Sequence, residues 1–262
     1  MARAITARPL TSPTGSLERV LADGAYGIAY QPIFDVATGE RFAVEALLRP
    51  LAGFPGPREM IDAAVTENRI GELGQRLRAL AVRGCNDAPL FLNAHPHELD
   101  EPWLLRPDEP MFGHAHDVYL EITEGCPLRQ RHVSRDVVRE LSRRGVSVVV
   151  DDFGAGYSNL RYLADLEPKI VKLDREMLLD IEYSWRVIAM IRGLVRMAED
   201  LGARVVAEGV ETGVQLERVR EAGVHYVQGF FLGRPSAVSI VPGPASEDFG
   251  PEKSGERPKL PE

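Results

Sequence analysis

The strongest constraint on this chain is an alternation. Short runs rich in β-branched and aromatic residues recur at 27–34, 42–48, 90–94, 117–123, 146–151, 169–173, 204–208 and 225–229, and helix-period segments fill the later gaps. Strands that alternate with helices predict a parallel sheet covered on both faces. Eight such strands in one chain favour closure into a (β/α)8 barrel. A doubly wound open sheet stays compatible with the pattern. The first two runs are joined through DVATGE, whose Thr-Gly centre suits a tight connection, so these two strands should form an antiparallel hairpin.

Helix signals support the alternation. Residues 185–201 place Val187, Ile188, Ile191, Leu194, Val195, Ala198 and Leu201 on one face, and Gly202 follows as a stop. Thr212 and Gln215 fit a capping box before Leu216 and Val219. Ser134 precedes a helix carrying Val137, Val138 and Leu141 that ends at Gly145, and 58–84 reads helical with a break near Ile70-Gly71.

Single polar residues close these apolar runs: Gln31, Glu45, Asn93, Glu121, Asp151, Lys172, Glu208 and Gln228. In a barrel the C-terminal strand ends converge on one face, so four carboxylates, an Asn and a Lys would share one mouth, with Asp152 beside them. Carboxylates packed together raise one another's pKa unless a cation sits among them. Hard oxygen donors with one amide and no thiolate suit Mg²⁺ or Mn²⁺. Two ions about 3.5–4 Å apart with a bridging carboxylate form an arrangement suited to in-line phosphoryl displacement, so a phosphodiester is the natural substrate. Asp151 and Asp152 pose a geometric difficulty, because neighbouring strand residues point to opposite faces. A strand that ends at Asp151, followed by a turn through Gly154 and Gly156, would bring both to one site.

Other classes are disfavoured. The formal charge is -8 and no basic block or aromatic-interleaved stripe occurs, which argues against polymeric nucleic acid. Asp152-Phe153-Gly154 lacks the glycine-rich loop and H-R-D motif of a kinase, and none of the six histidines forms H-E-x-x-H. Only Cys85 and Cys126 are present, without metal-type spacing, and no apolar run reaches membrane-span length. A cytoplasmic location without a membrane span is the expectation. Residues 1–17 read as a flexible segment, 18–241 as the folded unit, and the Pro/Gly/charge-rich 242–262 as a disordered tail.

Eight motifs in order carry a resemblance: YQPIFDVATG at 30–39, EALLR at 45–49, LFLN at 90–93, LEITE at 120–124, DDFGAGYSNL at 151–160, VKLD at 171–174, AEGVE at 207–211 and QGFFLGRP at 228–235. Together they resemble the EAL domain family of cyclic di-GMP phosphodiesterases. The resemblance implies an α/β fold, a modified TIM (β/α)8 barrel with an antiparallel first strand. It implies hydrolysis of cyclic di-GMP to linear pGpG with Mg²⁺ or Mn²⁺, two ions, and Ca²⁺ as an inhibitor. By position, Glu45, Asn93, Glu121 and Asp151 match the ligands of one metal, and Asp151, Asp152 and Glu208 those around the second. Lys172, Glu208 and Gln228 match catalytic positions, while Gln31, Leu47 and Arg49 match substrate-contacting ones. Glu124 matches a glutamate that steadies the loop after Asp152, a loop linked to dimerisation, so a homodimer and a regulatory signalling partner are also implied. Some family members are silent cyclic di-GMP receptors, which is the rival reading.

Two departures stand out. Pro50 replaces the usual Trp after the arginine, and the stretch from Pro50 to Asn93 is short, with PREMIDAAVTEN in place of the familiar segment. Both alter the border of the nucleotide pocket.

Overall fold

A computed structural model describes residues 16–100, 102–123, 131–155 and 160–240. Among the described residues nine strands form one sheet: β1 Tyr26–Asp35, β2 Arg41–Pro50, β3 Leu90–Ala94, β4 Val118–Thr123, β5 Val146–Phe153, β6 Ile170–Leu173, β7 Arg204–Ala207, β8 Tyr226–Val227 and β9 Ser236–Ile240. From β2 to β8 neighbours pair in parallel. β1 closes the ring by pairing antiparallel with both β2 and β8. The fold is therefore a modified TIM barrel with an antiparallel first strand, and the open-sheet alternative is excluded. β9, absent from the sequence reading, pairs antiparallel with β1 at Gly27–Tyr30, on the edge that two-residue β8 leaves free.

Helices α1 Leu17–Asp23, α2 Pro57–Thr66, α3 Ile70–Gly84, α4 Arg131–Arg143, α5 Leu160–Leu166, α6 Trp185–Asp200 and α7 Gly213–Glu221 connect and cover the strands. The break expected near Ile70 separates α2 from α3. Thr212 accepts from the Gln215 backbone while Gln215 bonds back to the Thr212 backbone, completing the capping box of α7. α4 begins at Arg131, ahead of Ser134. Of the expected flexible ends, only Ser16, Leu17 and nothing beyond Ile240 lie within the described residues.

The barrel interior has two layers. Ile33, Ala43, Phe91, Val149, Ile170, Val206 and Tyr226 form a buried plug, joined by Phe42 and Tyr119. Its rings stack, Phe42 on Tyr226 at 4.0 Å and Phe91 on Tyr119 at 4.5 Å between centroids. Same-face strand residues are two apart, so each plug residue fixes the next inward position. Phe91 is followed by Asn93, Tyr119 by Glu121, Val149 by Asp151, Ile170 by Lys172, Val206 by Glu208 and Tyr226 by Gln228. The packing that fills the barrel thus sets the register of the polar layer above it.

Candidate active site

The polar layer centres on Lys172. Its side chain is 1% exposed, and its Nζ lies 2.6 Å from Glu121 Oε1, 2.6 Å from Glu208 Oε1, 3.0 Å from Asp151 Oδ1 and 3.5 Å from Glu45 Oε2. Gln228 Nε2 donates to Glu45 Oε2 at 2.6 Å. One ammonium among four carboxylates leaves the cluster negative. Burial, reinforced by Glu45 and Asp151, holds the Glu121 carboxyl well above the usual range despite Lys172. Burial likewise pushes Glu208 up to about 8, with Lys172 opposing and Asp151 reinforcing the rise. Lys172 itself is raised, since the four carboxylates together outweigh the cost of burying its charge.

Gln31 and Glu45 sit mid-strand, not at strand ends as their reading as run-closing residues had it. β1 is antiparallel, so the mouth meets its middle, where Gln31 pairs in register with Glu45. Gln31 Nε2 donates to Gly233 O at 3.1 Å, tying β1 to the segment after β8.

The two aspartates meet differently from the sequence expectation. β5 does not stop at Asp151; it runs on to Phe153, with a register irregularity against β6 between Val150 and Phe153. Asp152 adopts φ +54, the left-handed region that Asp tolerates better than most residues. This one residue rotates the chain so that carboxylate oxygens of Asp151, Asp152 and Glu208 all come within 4.8 Å of one another. Burial, then the Asp151 charge, pushes Asp152 up to about 6. Gly154 follows at φ +101, and a side chain there would strike Met177. Gly156 lies outside the described residues.

These groups line a mouth cavity of about 280 Å³ that takes in Gln31, Glu45, Leu47, Asp151, Asp152, Lys172, Glu208 and Gln228. Asn93 and Arg49 line an adjoining cavity of about 210 Å³, which shares Leu47 with the mouth. Arg49 Nη1 donates to Leu48 O at 2.9 Å. Glu124 lies outside the described residues. Arg175, Glu211 and Phe230 also line the mouth and were missed in the sequence. Each lies within three residues of a mouth residue already chosen, so their place on the loops after β6, β7 and β8 was the available signal.

The all-oxygen donor set fits a hard divalent cation. Glu121 Oε2 supports that fit, being a buried carboxylate oxygen with no hydrogen-bond partner. An orphaned carboxyl oxygen at 1% residue exposure is costly, and a cation that meets it would let the group give up its proton and ionise.

Fold and site together define a (β/α)8-type barrel with a carboxylate-rich mouth suited to divalent cations. The EAL domain family model matches residues 15–235, and the chain belongs to that family. It is 33% identical over 244 residues to the cyclic di-GMP phosphodiesterase NbdA of Pseudomonas aeruginosa, covering 86% of this chain and 31% of that protein. This chain therefore spans about a third of that relative's length. Among solved structures, the manganese and cyclic di-GMP complex of Klebsiella pneumoniae BlrP1 at pH 9.0 has a TM-score of 0.69 at 31% identity, covering 83% of this chain and 57% of that one. An EAL domain protein from Listeria monocytogenes has a TM-score of 0.74 at 27% identity, covering 87% of this chain and 95% of that one.

Proposed function

We propose that the chain is a phosphodiesterase that hydrolyses cyclic di-GMP to linear pGpG with Mg²⁺ or Mn²⁺. The observation that carries this reading is the buried lysine ringed by four carboxylates, with Asp152 turned in beside them at the open end of the barrel. Glu45, Asn93, Glu121 and Asp151 would hold one cation, and Asp151, Asp152 and Glu208 a second. When bound, such ions supply Lewis acidity at the phosphoryl oxygens and make water a better nucleophile near neutral pH.

The chain's own residues do the rest. Lys172 puts a compact positive charge where phosphate charge builds. Gln228 is held by its bond to Glu45, and its Oε1 is buried without a partner, free to accept a hydrogen bond from an attacking water and orient it. Glu208, whose carboxyl burial raises in the metal-free site, gives up its proton when a cation binds and then stands as a carboxylate that can accept a hydrogen bond from the attacking water. Phe230 is half exposed at the rim with the Arg234 guanidinium 4.4 Å from its ring centroid, which gives a nucleotide base a surface to stack on. Gln31, Leu47 and Arg49 complete the substrate contacts.

The direct test is incubation with cyclic di-GMP and Mn²⁺ followed by chromatography for pGpG. Turnover that disappears in folded Glu45→Ala supports the assignment. Binding without turnover assigns the chain to silent receptors, and no binding removes the dinucleotide reading. We further read the chain as a cytoplasmic homodimer answering to a signalling partner, with Ca²⁺ as inhibitor. Exposed Leu179, Tyr183 and Trp185 support the dimer, which sedimentation checks. Among the described residues no helix is long and apolar enough to cross a membrane.

A further inference from the structure

A second buried ionic cluster lies beneath the adjoining cavity, apart from the Lys172 ring. Arg78 on α3 is 1% exposed. Its Nε donates to Glu109 Oε1 at 2.6 Å and its Nη1 to Glu98 Oε2 at 2.9 Å. Both glutamates are buried too. Glu98 also reaches back along its own loop, where its Oε1 accepts the His95 backbone N–H at 2.9 Å and its backbone N–H bonds to His95 O at 2.8 Å. Gly74, one turn before Arg78, clears the space: a Cβ there would strike the Glu98 carboxylate. The turn so gripped begins two residues after Asn93, and Arg78 and Asn93 line the same cavity of about 210 Å³.

Burying three charges is a poor way to gain stability, since apolar groups of similar volume often serve as well or better. A planar guanidinium held at two of its nitrogens by two separate carboxylates is a good way to fix direction. We propose that Arg78 is a positioning residue for Asn93: through Glu98 it locks the turn after β3, and so sets where the Asn93 side chain stands at the barrel mouth. Glu109, from the segment before the 3-10 turn at Pro110–Gly113, holds the guanidinium from its other edge. The inference rests on reading Asn93 as a ligand of the first cation. Partners that orient metal ligands typically change affinity by about 10–100-fold when removed.

The test is Mn²⁺ affinity without substrate, read from the free-Mn²⁺ EPR signal, in a double-mutant cycle with Asn93→Ala. Arg78→Met alone leaves two buried glutamates uncompensated, so the neutral triple variant Arg78→Met/Glu98→Gln/Glu109→Gln is used: it removes every charge at similar volume, with circular dichroism and the melting temperature confirming the fold. The expected result is Mn²⁺ affinity about 10-fold or more weaker in the triple variant, and no further loss when the same changes are made in Asn93→Ala. Unchanged affinity in the folded triple variant overturns the proposal, as does an equal loss in the Asn93→Ala background. If Asn93→Ala itself leaves Mn²⁺ affinity unchanged, the ligand assignment falls and this inference falls with it.

Discussion

Lys172→Met isolates the charge at the centre of the site. Methionine keeps most of the volume and removes the ammonium, leaving Glu45, Glu121, Asp151 and Glu208 to face one another. At an effective dielectric of about 20, an ion pair at these separations has a gross attraction of roughly 5–6 kcal/mol. Most of that offsets desolvation and repulsion among the carboxylates, so the net figure is smaller. Removing one partner of a buried ionic group costs about 3–5 kcal/mol, or roughly 6–20 °C in melting temperature for a chain of this size. The loss should also depend on pH. Glu208 stands at about 8 against an ordinary 4.5 even with Lys172 in place, and without the ammonium it and Glu121 rise further. A carboxyl whose folded pKa exceeds its unfolded one binds its proton more tightly when folded. Its stabilisation is full below the unfolded value and is lost as pH rises through the folded value. The variant should therefore fall furthest behind the wild type near pH 9 and least near pH 5.

Urea unfolding of both proteins in chelator at the two pH values measures this directly. Saturating Mn²⁺ should narrow the gap, because divalent cations neutralise the same carboxylates. A variant within about 1 kcal/mol of wild type near pH 9, or an equal deficit at both pH values, would refute the account of Lys172 as the counter-ion of the layer.

The same protonation states predict that Mn²⁺ affinity rises between pH 6 and 8, the values held by Asp152 and Glu208, with protons released on binding; calorimetry in buffers of different ionisation enthalpy counts them, and a pH-independent affinity contradicts the assignment. Asp152→Asn keeps a residue that tolerates φ +54 and should unfold like the wild type while Mn²⁺ binding weakens, whereas Asp152→Val should also lose about 1–2 kcal/mol of stability to strain. Gly229→Ala should cut pGpG formation by more than tenfold, since a Cβ there collides with the Val210 backbone, which bonds to Gln228 O at 3.0 Å and joins the loops carrying Glu208 and Gln228; unchanged turnover would show that the crossing is plastic.

Much of the fold was legible because burial on both faces writes itself into composition. A run such as SVVVD, short, β-branched and bounded by a turn signal, reads as a strand buried on both faces, and a polar residue that ends the run marks where the core gives way. That logic picked out Glu45, Asp151, Lys172, Glu208 and Gln228, which line the mouth, and Glu121, which pairs with Lys172, while Asn93 lines the adjoining cavity. It could not see β9, whose SAVSI follows Pro235 directly with serines three apart, breaking any period-two pattern, and owes its strand state to the edge of β1 that short β8 leaves open. It also misplaced the mouth relative to β1 and β2, because the position of a site along an antiparallel hairpin depends on pairing register, not on where an apolar run stops.

Arg78 shows where the remaining signal lies. Its neighbours on α3, Leu73, Leu80 and Ala81, are buried, so the arginine falls on the apolar stripe of an otherwise ordinary amphipathic helix. A charge at that phase requires counter-charges from elsewhere, yet Glu98 and Glu109 sit 20 and 31 residues away with no local pattern to nominate them. Asp152 is the same lesson at shorter range. The sequence showed two carboxylates competing for one site and suggested ending the strand between them; the chain instead keeps the strand and rotates one residue into the left-handed region. The pairing energy of β5 is kept through Phe153, and the strain is concentrated on the residue whose carboxylate the site needs.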